Sequence, residues 1–452
     1  MKIINWLKNI IFPEKNIPEE NYEECPPILF RVGVIEFADN TDSESGLRLA
    51  KMIGQYDDLQ VFYFDEPFGK NFLTLESRTI FDLIDKGQDI LDRTQTDVII
   101  WGYREGDKIR LNFQTSKQYE YEDKSFVTLL DSLYIPAITE QNSIIFPPAL
   151  LNIIHGAIIS AISPNNTENK IYRRYLLKKI IHELTNDTSA KNLPTEFTPY
   201  IMNFLGIIYL SYAYDEDKGT NFKTIYNILN TALKHQDKIS NPIHLGCIYY
   251  HIGQLYDSAT LYTSKNPSNY YKGAIEYYRR AQKYLSKYNY PYDYGYISYK
   301  LAILFFNYWK QKEDIQALRD AVFQLREAEK IYTYAVFPNF WAEIQGKLGQ
   351  MLALLGSFSN SAEISELAIN AYKNRQKVIS EKRYPLNWGR IQEYIGEIHY
   401  HLGQRGGGDS HFEEAMEYFH DALYMYENAQ LTDEIKKVKH SINKCRQYIH
   451  NK

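Results

Sequence analysis

The chain has 452 residues, 44% hydrophobic and 24% charged, enough for two or three domains with a sizeable core. A formal net charge of -5 leaves no broad basic surface, so nucleic acid is not an expected partner. Cys25, Cys247 and Cys445 stand far apart without a CxxC, which argues against a disulfide scaffold or zinc module and fits a reducing, cytoplasmic compartment.

Residues 1–12, MKIINWLKNIIF, form an apolar stretch carrying Lys2 and Lys8. It is too short to span a bilayer and lacks a small-residue cleavage site. It reads as a helix packed on its own body, with contact to a membrane surface or a partner as the alternative. An acidic, proline-bearing linker follows over 13–27. Strands are expected at 28–37, 59–64, 97–103 and 108–115, with Glu105-Gly106-Asp107 as a hairpin turn. Helices are expected at GLRLAKMIGQY and at 74–94. Strand, helix, strand, helix, strand predicts a parallel α/β core with an antiparallel hairpin at one edge, spanning 28–142.

Residues 144–163 are the most hydrophobic stretch. Pro147-Pro148 and Pro164 leave about 15 helical residues against the roughly 20 that a membrane helix needs. Asn152 and His155 interrupt it, so a buried helix is expected within a connecting region over 143–196. Residues 171–184 are amphipathic and basic and read as the first layer against which the downstream helices stack.

From 197 to 430 the sequence repeats. PNFWAEIQGKLGQMLALL, from Pro338 to Leu355, returns 47 residues later as PLNWGRIQEYIGEIHYHL, from Pro385 to Leu402. Ala274, Ala321, Ala368 and Ala415 stand 47 apart, and one heptad on come Ala281, Ala328, Arg375 and Ala422. Spacings of three and four predict paired helices. Proline at the head of each first helix suits N1. A mid-helix Leu-Gly or Ile-Gly costs about 1 kcal/mol against alanine, which points to a close helix crossing there. Leu205-Gly206, with 224–234 as second helix, makes a degenerate first unit, giving about five helix pairs. Residues 431–452 read as a basic capping helix.

Leu348-Gly349, Gly356 and the Ala368 phase, with Ile395-Gly396, Gly403 and Ala415, resemble long-type bacterial tetratricopeptide repeats. The implied architecture is α+β and multidomain, with a small α/β domain followed by an all-α helical solenoid. Gly33-Val34-Ile35-Glu36-Phe37 and Asp97-Val98-Ile99-Ile100-Trp101-Gly102, in that element order, are similar to the amino-terminal domain of TolB. The TolB propeller has no counterpart here, so a periplasmic role is not carried over.

No motif calls for a cofactor, a catalytic residue or a metal. The glycine loop at 402–411 follows a helix and lacks the lysine of a phosphate loop. His399 and His401 point about 200° apart on a helix and cannot face one ion, so these and His411 are read as solvated or packed. Asp39, Asp42 and Glu44 read as turn residues, with Asp42 or Ser43 capping a helix, rather than as cation ligands. Forty tyrosines are expected mostly to pack between helices.

The tetratricopeptide resemblance implies a protein-interaction scaffold whose first helices line a concave groove. The expected groove residues upstream are Tyr250, Gln254, Asp257, Tyr296, Tyr299 and Asn307. Downstream they are Glu343, Gln350, Arg390, Glu393, Glu397 and His401. A peptide or helix of basic and apolar character is the expected ligand. The alternatives are a small-molecule sensor in the α/β domain and a membrane adaptor anchored by 1–12.

Overall fold

The computed structural model describes residues 28–38, 44–66, 77–115, 132–140, 143–162, 167–186, 193–216, 222–262 and 267–450. The segment 1–12, Cys25, and the turn residues Asp39, Asp42 and Ser43 lie outside them. The layout is α+β with a helical C-terminal region, and the chain divides into two compact units, Met1–Ile297 and Ser298–Lys452.

In the first unit β1 (Phe30–Ile35), β2 (Leu59–Phe64), β3 (Val98–Glu105), β4 (Lys108–Thr115) and β5 (Leu133–Pro136) form one sheet in the order β2-β1-β3-β4-β5. Val32 pairs in parallel with both Val61 and Val98, so β1 is an interior strand, apolar but for Arg31. The β3–β4 hairpin is antiparallel as expected, but β4 is not the edge. The four-residue β5 covers it, too short for the sequence to show alternation. A second small pair, β6 (Thr139–Glu140) with β7 (Ser143–Ile144), was also not expected.

Helix α1 (Ser45–Ile53) begins opposite the end of β1. Its N-cap residue, Glu44, makes no side-chain cap bond. The carboxylate of Glu36 caps it instead, accepting from the N–H groups of Phe37 and Gly46 (each 2.9 Å) and of Leu47 (3.3 Å), and from the Tyr63 hydroxyl (2.6 Å). Glu44 pairs with Arg48, at 3.7 Å. The strand-end helix terminus, where α/β folds usually receive an anion, is therefore filled by the chain's own carboxylate.

Helix α2 (Ser77–Thr94) crosses between β2 and β3. Helix α3 (Pro148–Ala161) is the expected buried helix, and no helix among the described residues is long and apolar enough to cross a membrane. Its two polar interruptions dock it on the loop before β2. The Tyr56 hydroxyl donates to Asn152 (2.8 Å), and His155 Nε2 meets Asp58 Oδ2 (2.8 Å) while stacking on Tyr56. Arg173 of α4 (Thr167–Asn186) closes the far end of α3, donating to the carbonyls of Ile159 and Ser160.

Two helical hairpins complete the first unit: α5 (Thr198–Glu216) with α6 (Phe222–Lys234), and α7 (Ile243–Tyr262) with α8 (Pro267–Tyr284). Tyrosines pack between α7 and α8, with ring centroids 5.4 Å apart for Tyr256 and Tyr277 and 5.9 Å for Tyr249 and Tyr284. Helix α9 (Pro291–Lys312) follows. In the second unit come α10 (Ile315–Ile331), the hairpins α11 (Pro338–Ser359) with α12 (Ala362–Gln376) and α13 (Pro385–Leu402) with α14 (Asp409–Asn428), and α15 (Thr432–His450).

Three of the hairpins reuse one contact. A Cβ built on Gly253, Gly349 or Gly396 would lie 2.6, 2.8 and 2.8 Å from the rings of Tyr278, Tyr372 and Phe419. The second helix thus lays an aromatic ring directly on the first helix's backbone, which explains why each glycine is kept against its propensity. In the intervening phase, Ala302 replaces the glycine and the smaller Leu325 the ring. Ala274, Ala321, Ala368 and Ala415 are all fully buried. Where Arg375 breaks the second alanine series, its guanidinium lies over Gly346, 2.3 Å from where a Cβ would stand. One repeat later the sizes are exchanged, Glu393 on the first helix and Ala422 on the second.

A buried glutamine recurs beside these crossings. Gln345 Nε2 donates to Glu329 of α10 (2.6 Å), and its Oε1 accepts from Asn374 of α12 (3.3 Å). Its counterpart Gln392 is turned the other way, accepting from Gln376 of α12 (2.8 Å) and donating to Asp421 of α14 (2.9 Å). Each amide ties its own hairpin to the helix before it.

Candidate functional site

The most informative concavity lies in the second unit, between α11 and α13 over α12. It holds about 260 Å³ and is lined by Gln350, Ala353, Leu354 and Ser357 of α11, Ser365 and Tyr372 of α12, Tyr394, Glu397, Ile398 and His401 of α13, and Arg405 of the following loop. Gln350 and Glu397 occupy the same phase of the repeat, as do Leu354 and His401, so equivalent faces of two first helices oppose each other here.

Three expected groove residues, Gln350, Glu397 and His401, come together in this cleft. Arg390 is exposed but is not among the lining residues. Glu343 is spent on Lys347 (3.4 Å) and Arg375 (3.7 Å). Glu393 faces inward, only 6% exposed: it accepts from the Tyr426 hydroxyl (2.6 Å) and pairs with Lys437 of α15 (2.7 Å). Tyr299 packs edge-on to Phe340, and Asn307 is half-buried. In the first unit Tyr250 is buried against Tyr278, while Gln254, Asp257 and Tyr296 are half-buried.

The cleft's charges are largely satisfied. Lys437 also reaches Glu397 at 3.0 Å; although partial burial works against its charge, the two glutamates hold its ammonium above the ordinary lysine range. Arg405 donates to the carbonyls of Gly356 and Ser357 and to the Ser357 hydroxyl, closing the end of α11. Tyr372 stacks on Tyr394 (5.4 Å, 26°), and burial raises its phenol far above the usual range, so it stays neutral. His401 meets Gln404 (3.1 Å), and the Ser365 hydroxyl donates to Ser361 O (3.1 Å). The arrangement offers hydrogen bonds and an aromatic wall.

Sequence reasoning missed Tyr394, Tyr372, Arg405 and Lys437. The first had a usable signal, since Tyr394 stands 47 residues after Lys347, one turn before Gln350.

No protein-family model matches the sequence, and no curated protein matches it. Among solved structures, the crystal structure of BtubC (BKLC) from P. vanneervenii aligns with 66% of this chain and 93% of its own, at 14% identity and a TM-score of 0.36. A likeness that low carries no argument about fold or function.

A much smaller hollow in the first unit, about 10 Å³, lies among Ser132, Tyr134, Tyr200 and His244, with room for about one water. His244 sits edge-on to Tyr134 (4.2 Å) and Tyr200 (4.9 Å). Burial, then Lys108 and Arg110, push its pKa from 6.5 down to about 3. Between those values the unfolded chain binds a proton that the folded chain refuses. Stability is therefore expected to fall as pH drops from 6.5 towards 3, by up to about 1.4 kcal/mol per pH unit from this group. Acid unfolding of His244→Phe should be shallower in that window; an unchanged slope would remove His244 as the cause.

Proposed function

We propose that the chain is a non-enzymatic, cytoplasmic interaction protein of tetratricopeptide type, holding a peptide or helix of a partner protein in the cleft between α11 and α13. What carries this reading is the convergence of Gln350, Glu397 and His401, from equivalent faces of two repeats, on one cleft walled by Tyr394. Tyr394 is 40% exposed although it stacks on Tyr372, so its ring offers a wall to an incoming apolar side chain. Gln350 and His401 offer hydrogen bonds to a peptide backbone.

The ligand's expected basic character loses its basis, because Glu393 and Glu397 are already paired with Lys437. An apolar or aromatic anchor with a polar backbone fits better. The α/β domain is given no ligand in this reading, since Glu36 fills its helix terminus.

The test is affinity capture from the native cell with the full chain, wild type against Gln350→Ala/Tyr394→Ala, both exposed positions. A captured partner should bind the variant at least about tenfold more weakly, the loss of a little over 1 kcal/mol. Equal retention of every partner by a variant of unchanged Tm would remove the cleft as the site.

A further inference from the structure

His399 lies in the last turn of α13 and is buried. Two left-handed glycines, Gly406 (φ 91°) and Gly408 (φ 88°), turn the chain back so that the first turn of α14 returns beside it. That turn carries His411, and the next, three residues on and hence on the same face, carries Glu414. His399 Nδ1 stands 3.2 Å from His411 Nδ1 and 2.9 Å from Glu414 Oε2, and one donor atom from each of the three lies within 4.8 Å of the others. His401, on the opposite side of α13, turns to Gln404 and takes no part.

Hydrogen bonding alone does not satisfy this cluster. One Nδ1 carries either a proton or a lone pair. Protonated, it can donate to Glu414 but then accepts nothing from His411. Deprotonated, it can accept from His411 but aims its lone pair at a carboxylate. The ring is fixed by stacking on Tyr418 (5.5 Å, 10°), and its Nε2 is buried without a hydrogen-bond partner.

We propose that His399, His411 and Glu414 bind a divalent transition-metal cation, zinc by preference, as a staple across the α13–α14 reversal. Two imidazoles and one carboxylate are a zinc donor set. Zinc bonds of about 2.0–2.1 Å place neighbouring tetrahedral donors about 3.3 Å apart, close to the 3.2 and 2.9 Å observed. Glu414 is 48% exposed, so the open side admits a water as fourth ligand.

The test uses tag-free, chelator-stripped full chain titrated with Zn2+ by calorimetry, and with Co2+ read by the intense visible bands of tetrahedral coordination. One equivalent should bind and raise Tm, and Zn2+ should displace bound Co2+. His411→Ala and Glu414→Gln, both at least partly exposed and not needed for the core, should each weaken binding tenfold or more, while His401→Ala should not. Absence of saturable binding, a purely octahedral Co2+ spectrum, or unchanged affinity in both variants would overturn the site.

Discussion

Phe419→Ala should lower the unfolding free energy by about 3–5 kcal/mol in urea denaturation of the full chain. The ring is fully buried, and its edge lies where a Cβ on Gly396 would stand 2.8 Å away. Gly396→Leu alone should overpack the same crossing and cost about 1–3 kcal/mol. Combined, the two changes exchange sizes across the helix pair, as Gly346/Arg375 and Glu393/Ala422 already do. The double variant should therefore be more stable than the sum of the singles by at least about 1 kcal/mol. Strict additivity would show that glycine and ring do not meet, and the account of the repeated glycines would fail with it.

The second large effect is expected at Glu36. Its carboxylate is 5% exposed and takes four donors, three of them backbone N–H groups. Glu36→Ala should cost about 3 kcal/mol or more, because those donors stay buried without an acceptor and α1 loses its cap. Glu36→Gln should cost less, keeping one acceptor oxygen. Tyr63→Phe, which removes one donor of the four, should cost about 1 kcal/mol. The order Ala, Gln, Tyr63→Phe in thermal unfolding is the check. A neutral Glu36→Ala would mean that solvent supplies the cap.

Much of this was legible in the chain. β2 (Leu59–Phe64) and β4 (Lys108–Thr115) run where the sequence puts them, β2 as an apolar run and β4 as an alternating strand opened by the Gly106-Asp107 turn. Helices α11 and α13 start at the prolines that announce them. The rest was hidden by distance along the chain. Glu36 caps a helix ten residues on, which no local capping pattern encodes. β5 is four residues long and ends in proline. Counting from Leu-Gly singled out Gln350, Glu397 and His401, and these three line one cleft, because period fixes direction on a helix. It misplaced Glu393, because the covering Lys437 comes from α15, outside the repeat. The meeting of His399 with His411 depends on two left-handed glycines, and spacing alone says nothing about where such a turn sends the chain.

The opposed settings of Gln345 and Gln392 make the hairpins non-interchangeable modules. Excising residues 338–384 would keep the phase and graft Glu329 into the place of Gln376, setting a carboxylate against the Gln392 oxygen. Rotating that amide would only move the clash to Asp421. Neighbouring units are thus keyed to one another by donor and acceptor, and a shortened or reordered array would need new keys at the splice.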